Sequence, residues 1–362
     1  MPHTLVTGAN SFVATYTIVE LIRTGHTVTG IVRRSSTGNK VLADYPEWIG
    51  NFDFEVVEDY SKKSAFDAVF QARNYDHIVH IAAPMPKATT LDFDKDFLRP
   101  GVEGTLNLLD SANANAPTLK SMAITGSANS VTGTIFSIMA RSPEENQGKE
   151  YTNDMWNDIT PRAARESQSP YVMYCSSKKE TELAVWEWSL PLCTTTEMIE
   201  ADSVVLKVTA LLPALIFGPP PTLEPLNLSV SFVYRFFNGT FQELPDTYAA
   251  GLFPTYVDVR DLATAHVRAL SSAGVVNQRF LIGAPKLSSS LILESLKTYA
   301  KKNTVSELEA RLPKDTGKDD ESRLSLPTFN VKAGNETLHL NLRSAEETFG
   351  DVAKKIMELE KE

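Results

Sequence analysis

The fold of this 362-residue chain is decided by Thr4-Leu5-Val6-Thr7-Gly8-Ala9-Asn10-Ser11-Phe12-Val13-Ala14 (residues 4–14). The stretch begins with a short apolar run typical of a strand. Apolar side chains at helical spacing follow from Ile18 to Ile22, and Gly25 closes that pattern. A second β-rich run covers residues 27–32. The pattern therefore predicts a strand, a tight turn, a helix and a second strand. Such a turn presents backbone N–H groups and a helix N-terminus to a pyrophosphate.

The turn departs from the full glycine fingerprint of dinucleotide sites. Its spacing is Gly8-x-x-Ser11-x-x-Ala14, where the complete motif carries glycine at the second position. The Cβ of Ser11 limits close approach of the backbone, so we expect phosphate contact to be displaced or weakened. An ordinary strand-to-helix turn is the alternative interpretation.

The second strand ends in basic residues. Sites that prefer NAD usually carry an acid there for the ribose hydroxyls, whereas this strand ends at Arg33 and Arg34, with Lys40 beyond. A guanidinium binds two phosphate oxygens at once. The pattern favours NADP(H) as the cofactor, and a solvated basic turn is the alternative.

Tyr174 and Lys178 are four residues apart and would share one face of a helix, with the ammonium beside the phenol. A nearby cation favours the phenolate, so we expect the pKa of this tyrosine to be lowered toward neutrality. Upstream, the apolar run 122–124 leads into a turn that contains Ser127, whose hydroxyl can hydrogen-bond a substrate carbonyl. A surface helix with a charged end is the alternative interpretation of the Tyr–Lys pair.

Strands and helices alternate through the first half of the chain. The predicted strands cover 3–7, 27–32, 53–58, 77–82, 119–125 and 203–211. The predicted helices cover 12–24, 63–73, 95–115 and 172–189. This alternation predicts an α/β fold, a Rossmann-type doubly wound parallel sheet. A smaller C-terminal substrate-binding lobe is expected after it, as the family resemblance given below implies.

The predicted division places a nucleotide-binding domain at 1–215. Within it, a polar insertion at about 133–170 has the length of a lid or binding loop, and disorder of part of it is the alternative interpretation. The substrate-binding lobe takes up most of 216–362, with 253–283 returning to the first domain. In the lobe, the aromatic residues at helical spacing in 230–237 are interpreted as core.

The final helix has a clear start. Ser344-Ala345-Glu346-Glu347 is a capping box, which predicts a helix N-terminus. Glu358, Glu360 and Glu362 crowd its other end, where the helix dipole disfavours acids, so we expect that end to fray.

Composition limits the possible functions. The net charge of −10 argues against nucleic acid and acidic membrane surfaces as partners, and no apolar run reaches the length of a membrane span. The two cysteines, Cys175 and Cys193, lack metal-site spacing and fit a reduced compartment, so no metal is expected. The first strand starts close to Met1, leaving no room for a signal peptide, and we expect a cytoplasmic location.

The ordered set Thr7-Gly8-x-x-x-Phe12, Ser127 and Tyr174-x-x-x-Lys178 resembles the extended short-chain dehydrogenase/reductases. Further stretches are similar to the dihydroflavonol-reductase-like branch, which includes fungal NADPH-dependent aldehyde and ketone reductases of methylglyoxal-reductase type. The resemblance covers roughly residues 3–300. The stretches that carry it are 80–84, 100–107, 155–157, 213–219 and 256–266.

The resemblance implies a set of cofactor-binding residues. In the family an Asp at the position of Asp59 contacts the adenine; a cap for a helix from Lys63 onward is an alternative role that does not exclude the first. The full set implied for NADP(H) is Gly8, Asn10, Ser11, Phe12, Val13, Arg33, Lys40, Asp59, Tyr60, Ala82, Ala83, Pro84, Thr125, Tyr174, Lys178, Pro213, Ala214 and Leu215.

The resemblance also implies a substrate pocket bordered by Met85, Ala128, Thr132 and Tyr171. A small Ala128 and a flexible Met85 favour a roomy apolar site for a hydrophobic carbonyl compound. Packing against the rest of the protein is the alternative role of these side chains. The expected partner is this small molecule, and the expected assembly is a monomer or a homodimer.

The activity implied is an NADPH-dependent reduction of an aldehyde or ketone to an alcohol. Tyr174 would act as general acid, Lys178 would lower its pKa and bind the nicotinamide ribose, and Ser127 would hydrogen-bond the carbonyl oxygen. Two alternatives stay open. One is an epimerase/dehydratase or steroid-type dehydrogenase/isomerase that uses the same residues. The other is a non-catalytic NADP-binding regulator, favoured only by Ser11 in the cofactor turn.

Overall fold

The computed structural model describes residues 1–87, 89, 91–133, 148–193, 206–247, 254–272, 274–317 and 327–361. Residues 134–147 of the predicted insertion therefore lie outside the described residues, as do the first residues of the predicted strand at 203–211. In the described parts of the chain, no helix is both long and apolar enough to cross a membrane.

The chain divides into two compact units. The first comprises Met1–Thr134, Asp154–Leu212 and Ala263–Phe280, and the second comprises Ile135–Asn153, Pro213–Leu262 and Leu281–Glu362. The predicted domain boundary at residue 215 stays a prediction.

The strands of the described residues are β1 (His3–Thr7), β2 (Thr27–Val32), β3 (Phe52–Val56), β4 (His77–His80), β5 (Ser121–Thr125), β6 (Glu150–Tyr151), β7 (Lys207–Leu212), β8 (Leu215–Phe217), β9 (Tyr256–Asp258), β10 (Gln278–Leu281) and β11 (Thr328–Phe329).

The helices are α1 (Phe12–Arg23), α2 (Ser35–Asp44), α3 (Asp67–Ala72), α4 (Gly104–Asn115), α5 (Asn129–Thr132), α6 (Pro161–Glu166), α7 (Pro170–Cys193), α8 (Leu228–Tyr234), α9 (Val259–Ala269), α10 (Ser289–Lys302), α11 (Ser306–Arg311), α12 (Lys332–Thr337) and α13 (Ala345–Leu359). A short 3₁₀ turn covers Pro46–Trp48, and a π-helix covers Phe93–Glu103.

Seven strands form one sheet in the order β10-β7-β5-β4-β1-β2-β3. The pairings from β3 to β7 are parallel, with Val6 of β1 opposite Gly30 of β2 and Val79 of β4. Strand order reverses at β1, the point at which doubly wound sheets place their ligands, outside the carboxyl ends of the strands. The predicted Rossmann-type sheet is confirmed.

Helix α1 shows why the opening stretch folds as predicted. Ala14, Thr17, Ile18 and Leu21 form its buried face, and Leu5 and Val6 of β1 are fully buried in the sheet. Apolar residues at helical spacing after an apolar strand thus give one helix packed on one sheet face.

Helix α2 was not predicted. Its sequence is largely polar and buries only Gly38 and Val41, so few apolar residues indicate a helix there. The predicted helix at 95–115 is a π-helix followed by an α-helix, and the chain changes from one to the other just after Pro100 and Gly101.

The second unit contains the predicted aromatic core. Val230, Phe232, Val233, Phe236 and Phe237 are all buried, as interpreted from their spacing. Two-stranded pairings of β8 with β9 and of β6 with β11 complete the sheet structure described for this unit.

The final helix begins as predicted and ends differently. Ser344 caps α13 by accepting a hydrogen bond from the Glu347 backbone N–H at 3.1 Å. Its other end is anchored, because Glu360 accepts hydrogen bonds from both Arg311 Nη atoms at 2.8 Å and from Tyr234 at 2.7 Å. The prediction of a fraying end is wrong for Glu360, since a guanidinium offsets the unfavourable helix dipole.

Candidate active site

The turn after β1 is held in the shape that its sequence indicates. Gly8 adopts φ = +68°, and a Cβ there would lie 3.2 Å from Cα of Ala82, so a larger residue would be strained and crowded. The Ser11 N–H donates to the Gly8 carbonyl at 2.9 Å. Ser11 Oγ accepts from the Ala14 N–H at 3.3 Å and so caps α1. The serine that breaks the glycine fingerprint therefore has a local structural role.

Thr7 connects this turn to the end of β4. Its Oγ1 accepts hydrogen bonds from the N–H groups of Ile81 at 3.0 Å and Ala82 at 3.1 Å. The hydroxyl proton is then free to be donated to Nδ1 of His80, 2.8 Å away. Thr7 thereby fixes the backbone of two predicted neighbours of the cofactor site.

His80 continues the same hydrogen-bond chain. Thr105 donates its hydroxyl proton to the Gly101 carbonyl at 2.7 Å, so His80 Nε2 must donate to Thr105 Oγ1 across 3.0 Å. Burial lowers the pKa of His80 to about 3, and the charge of Lys178 contributes in the same direction. His80 is therefore neutral, with its proton on Nε2.

The π-helix approaches α7 closely at Gly101. A Cβ at this position would lie 2.7 Å from Oγ1 of Thr181 and 3.0 Å from Oγ of Ser177. Ser177 in turn donates to the Phe97 carbonyl at 3.2 Å. The absence of a side chain at 101 allows the two helices to meet through hydroxyl groups.

Lys178 is almost fully buried beside the end of β5. Its Nζ donates to the Thr125 carbonyl at 2.8 Å, and Thr125 Oγ1 lies 2.7 Å from Nε2 of His266. Burial lowers the pKa of Lys178 to about 8, and the carboxylate of Glu182 opposes that shift. The ammonium can therefore lose its proton at a pH only slightly above neutral.

Burial raises the pKa of Tyr174 to about 12, and the nearby Ser127 hydroxyl lowers it by less. The predicted lowering of the tyrosine pKa is therefore wrong for this structure. The physical reason is that desolvation outweighs the effect of Ser127, while the Lys178 ammonium bonds a carbonyl rather than the phenol. The Tyr174 ring also packs against a buried apolar cluster that includes Phe97 and Met173.

A cavity lies beside these groups at the carboxyl edge of the sheet. It brings together the predicted cofactor residues Ala82, Ala83, Pro84, Thr125 and Lys178. The rest of its lining is His80, Gly101, Thr105, Ile124, Gly126, Ser177, Thr181 and Glu182.

The predicted residues for the adenosine end are arranged differently from one another. Arg33 is exposed and makes no ion pair with any residue that the structure describes, whereas Lys40 pairs with Asp44 at 2.9 Å. Tyr60 lies near the backbone of Gly8, and burial raises its pKa.

Asp59 does not cap a helix at Lys63. Its Oδ1 accepts from the Ser61 hydroxyl at 2.6 Å and the Ser61 N–H at 3.0 Å, which lowers the pKa of Asp59. Helix α3 begins only at Asp67. The local Ser61 hydrogen bonds therefore replace the predicted cap.

The predicted substrate residues fall into two classes. Met85 and Tyr171 are exposed, whereas Ala128 and Thr132 are buried, with Thr132 Oγ1 3.0 Å from the Gly133 carbonyl oxygen. Pro213, Ala214 and Leu215 belong to the second unit, so their role at the cofactor stays a prediction.

Sequence reasoning missed several residues around this site. The buried carboxylate of Glu182 lies one helical turn after Lys178, so the same i, i+4 spacing that singled out Tyr174 also pointed to it. Its partner Arg279 gave no such signal. Among the described residues, no group of three or more His, Cys, Asp or Glu is placed to hold a metal ion.

Comparison with known proteins gives a consistent result. The model of the NAD dependent epimerase/dehydratase family matches residues 4–154. A Schizosaccharomyces pombe protein described as an uncharacterized oxidoreductase is 30% identical, with 98% of this chain and 96% of that protein covered. The ketoreductase azaE of Aspergillus niger is 29% identical, with 98% and 97% covered.

A solved structure extends the likeness to three dimensions. The crystal structure of yeast methylglyoxal/isovaleraldehyde reductase Gre2 complexed with NADPH superimposes with a TM-score of 0.81 at 26% identity, covering 99% of both chains. Identity of 30% along nearly the full length of a relative, together with the family match and the sheet order, settles the assignment. This chain belongs to the extended short-chain dehydrogenase/reductases of the NAD dependent epimerase/dehydratase family.

Proposed function

We propose that this chain is an NADPH-dependent carbonyl reductase, which converts an aldehyde or ketone to an alcohol. The observation that carries the proposal is the buried Tyr174 phenol beside Ser127, one helical turn from the buried ammonium of Lys178, at the carboxyl edge of the sheet. The balanced reaction consumes NADPH, one proton and the carbonyl compound, and it yields NADP⁺ and the alcohol. When bound, the nicotinamide supplies the hydride.

Tyr174 is assigned as the general acid. Because its pKa is raised to about 12, the phenol holds its proton at neutral pH and can donate it to the substrate oxygen as negative charge develops there. Ser127, which lies beside Tyr174, would hold the same oxygen and stabilise that charge.

Lys178 is assigned two roles. Its ammonium stabilises negative charge on Tyr174 after proton donation, and it offers a donor to the nicotinamide ribose. A pKa of about 8 keeps most of this group charged at neutral pH.

The residues present fit a dinucleotide. The start of α1 offers backbone N–H groups beside Gly8, and the cavity walls at Ala82 and Ala83 are small enough for a flat ring to approach. Arg33 carries a charge that fits a 2′-phosphate, while Lys40 would have to leave Asp44 to contribute. The NADPH bound by the yeast structural relative agrees with the NADP(H) predicted from the sequence.

The proposed substrates are hydrophobic aldehydes and ketones. The relatives include an enzyme named for methylglyoxal and isovaleraldehyde and one named as a ketoreductase. Met85, Ala128, Thr132 and Tyr171 are proposed to border the substrate. A cytoplasmic location and a monomeric or homodimeric state are part of the same proposal.

The test follows NADPH absorbance over a panel of aldehydes, diketones and aryl ketones. Tyr174→Phe, which removes only the acidic hydroxyl, is expected to lower kcat by about 10²- to 10⁴-fold. Tyr299→Phe makes the same change on α10 and is expected to leave kcat unchanged. Tight NADPH binding without turnover by the wild type would instead support the regulator or isomerase interpretation.

A further inference from the structure

A buried ion pair lies one helical turn beyond Lys178. The side chain of Glu182 is 1% exposed, and that of Arg279 is 12% exposed. Arg279 Nε donates to Glu182 Oε1 at 2.6 Å, and its Nη2 donates to Oε2 at 3.1 Å. Two parallel bonds of this kind fix the geometry of both groups.

The guanidinium has further partners that hold it in place. The guanidinium carbon of Arg279 lies 3.6 Å from the centroid of the Trp156 ring, and Nη1 of Arg279 donates to the Met155 carbonyl at 2.8 Å. A cation stacked on an indole and hydrogen-bonded on several sides has little freedom to move. Arg279 therefore fixes the position of Glu182.

Ser130 connects this pair to the turn that carries Ser127. Its Oγ lies 2.8 Å from the Ser127 carbonyl oxygen and 2.9 Å from Glu182 Oε2, and it accepts from Arg279 Nη2 at 3.1 Å. The Ser130 carbonyl also accepts from the N–H of Asn157 at 2.8 Å. The backbone of the Ser127 turn is thus tied to helix α7 through the ion pair.

The ion pair also shapes the charge around Lys178. Glu182 favours the ammonium, whereas burial opposes it. The other groups near Lys178 add no negative charge, since His80 is neutral and Tyr174 is protonated. The positive charge of Arg279 is paired with Glu182. Glu182 lines the same cavity as Lys178, one helical turn away, and among the described residues its carboxylate is the charge that favours the ammonium.

Stability alone does not account for the pair. Burying two charges costs free energy that their attraction and hydrogen bonds repay only in part, and an apolar pair of similar volume is often as stable. Its position, between the Ser127 turn and the Lys178 ammonium, suggests a role in the reaction instead.

We propose that Glu182 and Arg279 are positioning residues: their ion pair fixes a carboxylate one helical turn from Lys178, and it holds Ser127 opposite Tyr174 through Ser130. The inference rests on the proposed reductase function, because that function gives Lys178 and Ser127 their roles. Glu182 and Arg279 themselves take no part in proton or hydride transfer.

The first experiment measures kcat/KM against pH for Glu182→Gln. Removing the carboxylate lowers the pKa of Lys178, so the alkaline limb should move to lower pH by about one unit. Glu180→Gln is the matched control, since it removes a carboxylate from the same helix that is paired with Lys179 and should leave the limb in place. A limb that stays at its wild-type position in Glu182→Gln would overturn the electrostatic part.

Ser130→Ala separates positioning from charge. It keeps both charged groups, so the alkaline limb should stay fixed while kcat falls about tenfold. A kcat within twofold of wild type would overturn the positioning part. This variant also serves if Glu182→Gln fails to fold, because it buries no unpaired charge.

A readout without substrate distinguishes failure of this inference from failure of the proposed function. The pH dependence of Lys178 acylation by acetic anhydride, followed by mass spectrometry, reports the Lys178 pKa directly. Its midpoint should fall by about one unit in Glu182→Gln and stay fixed in Glu180→Gln, whether or not any carbonyl is reduced. An unchanged midpoint in Glu182→Gln would reject the inference, while absent turnover with a shifted midpoint would reject only the reductase.

Discussion

Histidines bonded to hydroxyl groups lie at both ends of the parallel strands, and these histidines differ in burial. The carboxyl ends of the strands form the carboxyl edge of the sheet, and the amino ends form its amino edge. At the carboxyl edge, His80 uses both ring nitrogens and is buried. At the amino edge, His3 bonds Thr29, His26 bonds Thr4 and His77 bonds Ser121, all at 2.8–2.9 Å and all partly buried.

His77 and His80 differ in whether the ring nitrogen without a proton is free to take one. His77 Nδ1 must donate to Ser121, because the Ser121 hydroxyl donates to the Leu270 carbonyl at 2.8 Å. Its Nε2 therefore stays available for protonation. Burial lowers the pKa of His77 to about 4, compared with about 3 for His80. The comparison teaches that His80 at the carboxyl edge is held through both ring nitrogens, whereas His77 at the amino edge keeps one ring nitrogen that can take a proton in the folded chain.

The largest predicted effect breaks the carboxyl edge. Lys178→Met should lower kcat/KM by about 10³-fold, because a buried ammonium that stabilises negative charge on Tyr174 is replaced by an apolar group. Lys120→Met makes the same replacement at the amino edge, where Lys120 pairs with Asp76 at 2.7 Å, and should leave kcat/KM unchanged. Equal losses in the two variants would show that the edges are not functionally distinct.

A smaller effect is expected for His80→Phe. The variant leaves the hydroxyls of Thr7 and Thr105 without their ring partner in a buried site, which should lower the free energy of unfolding by about 2–4 kcal/mol. His26→Phe, at the half-buried amino edge, should cost no more than about 1 kcal/mol. Urea unfolding measures both, and a larger loss for His26→Phe would reverse the comparison.

The smallest predicted effect sharpens the amino edge. The folded pKa of His77 is about 4, below the ordinary value of 6.5. Its neutral form is therefore preferred in the fold, and its contribution to stability is present above pH 6.5 and lost as the pH falls toward 4. His77→Asn should remove about 1 kcal/mol of the stability lost between pH 7 and pH 5, after allowance for partial exposure. Thermal unfolding across that range tests it, and an unchanged pH dependence would exclude His77 as a main contributor.

Local patterns predicted much of this molecule from sequence. Apolar spacing predicted β1, α1 and β2 closely, and the four-residue spacing of Tyr174 and Lys178 placed both on α7. The polar helix α2 was missed, because it contains few apolar residues and buries only two residues.

Contacts between distant positions were beyond the sequence. Arg279 meets Glu182 across 97 positions, and Thr7 meets His80 across 73. The tyrosine pKa was predicted in the wrong direction for a related reason. Spacing indicates that a lysine is near, but burial and the lysine's own hydrogen-bond partner depend on the folded chain.

The one-way hydrogen-bond chain from Thr7 through His80 and Thr105 to the Gly101 carbonyl has a consequence for how this chain can change over generations. Each of the two threonine hydroxyls both donates and accepts a hydrogen bond, so replacing one residue leaves its neighbours in the chain without a hydrogen-bond partner. Substitutions at positions 7, 80 and 105 therefore depend on one another. A lineage can abandon this arrangement only through paired or triple replacements, and chains that keep one member of the trio should keep all of them.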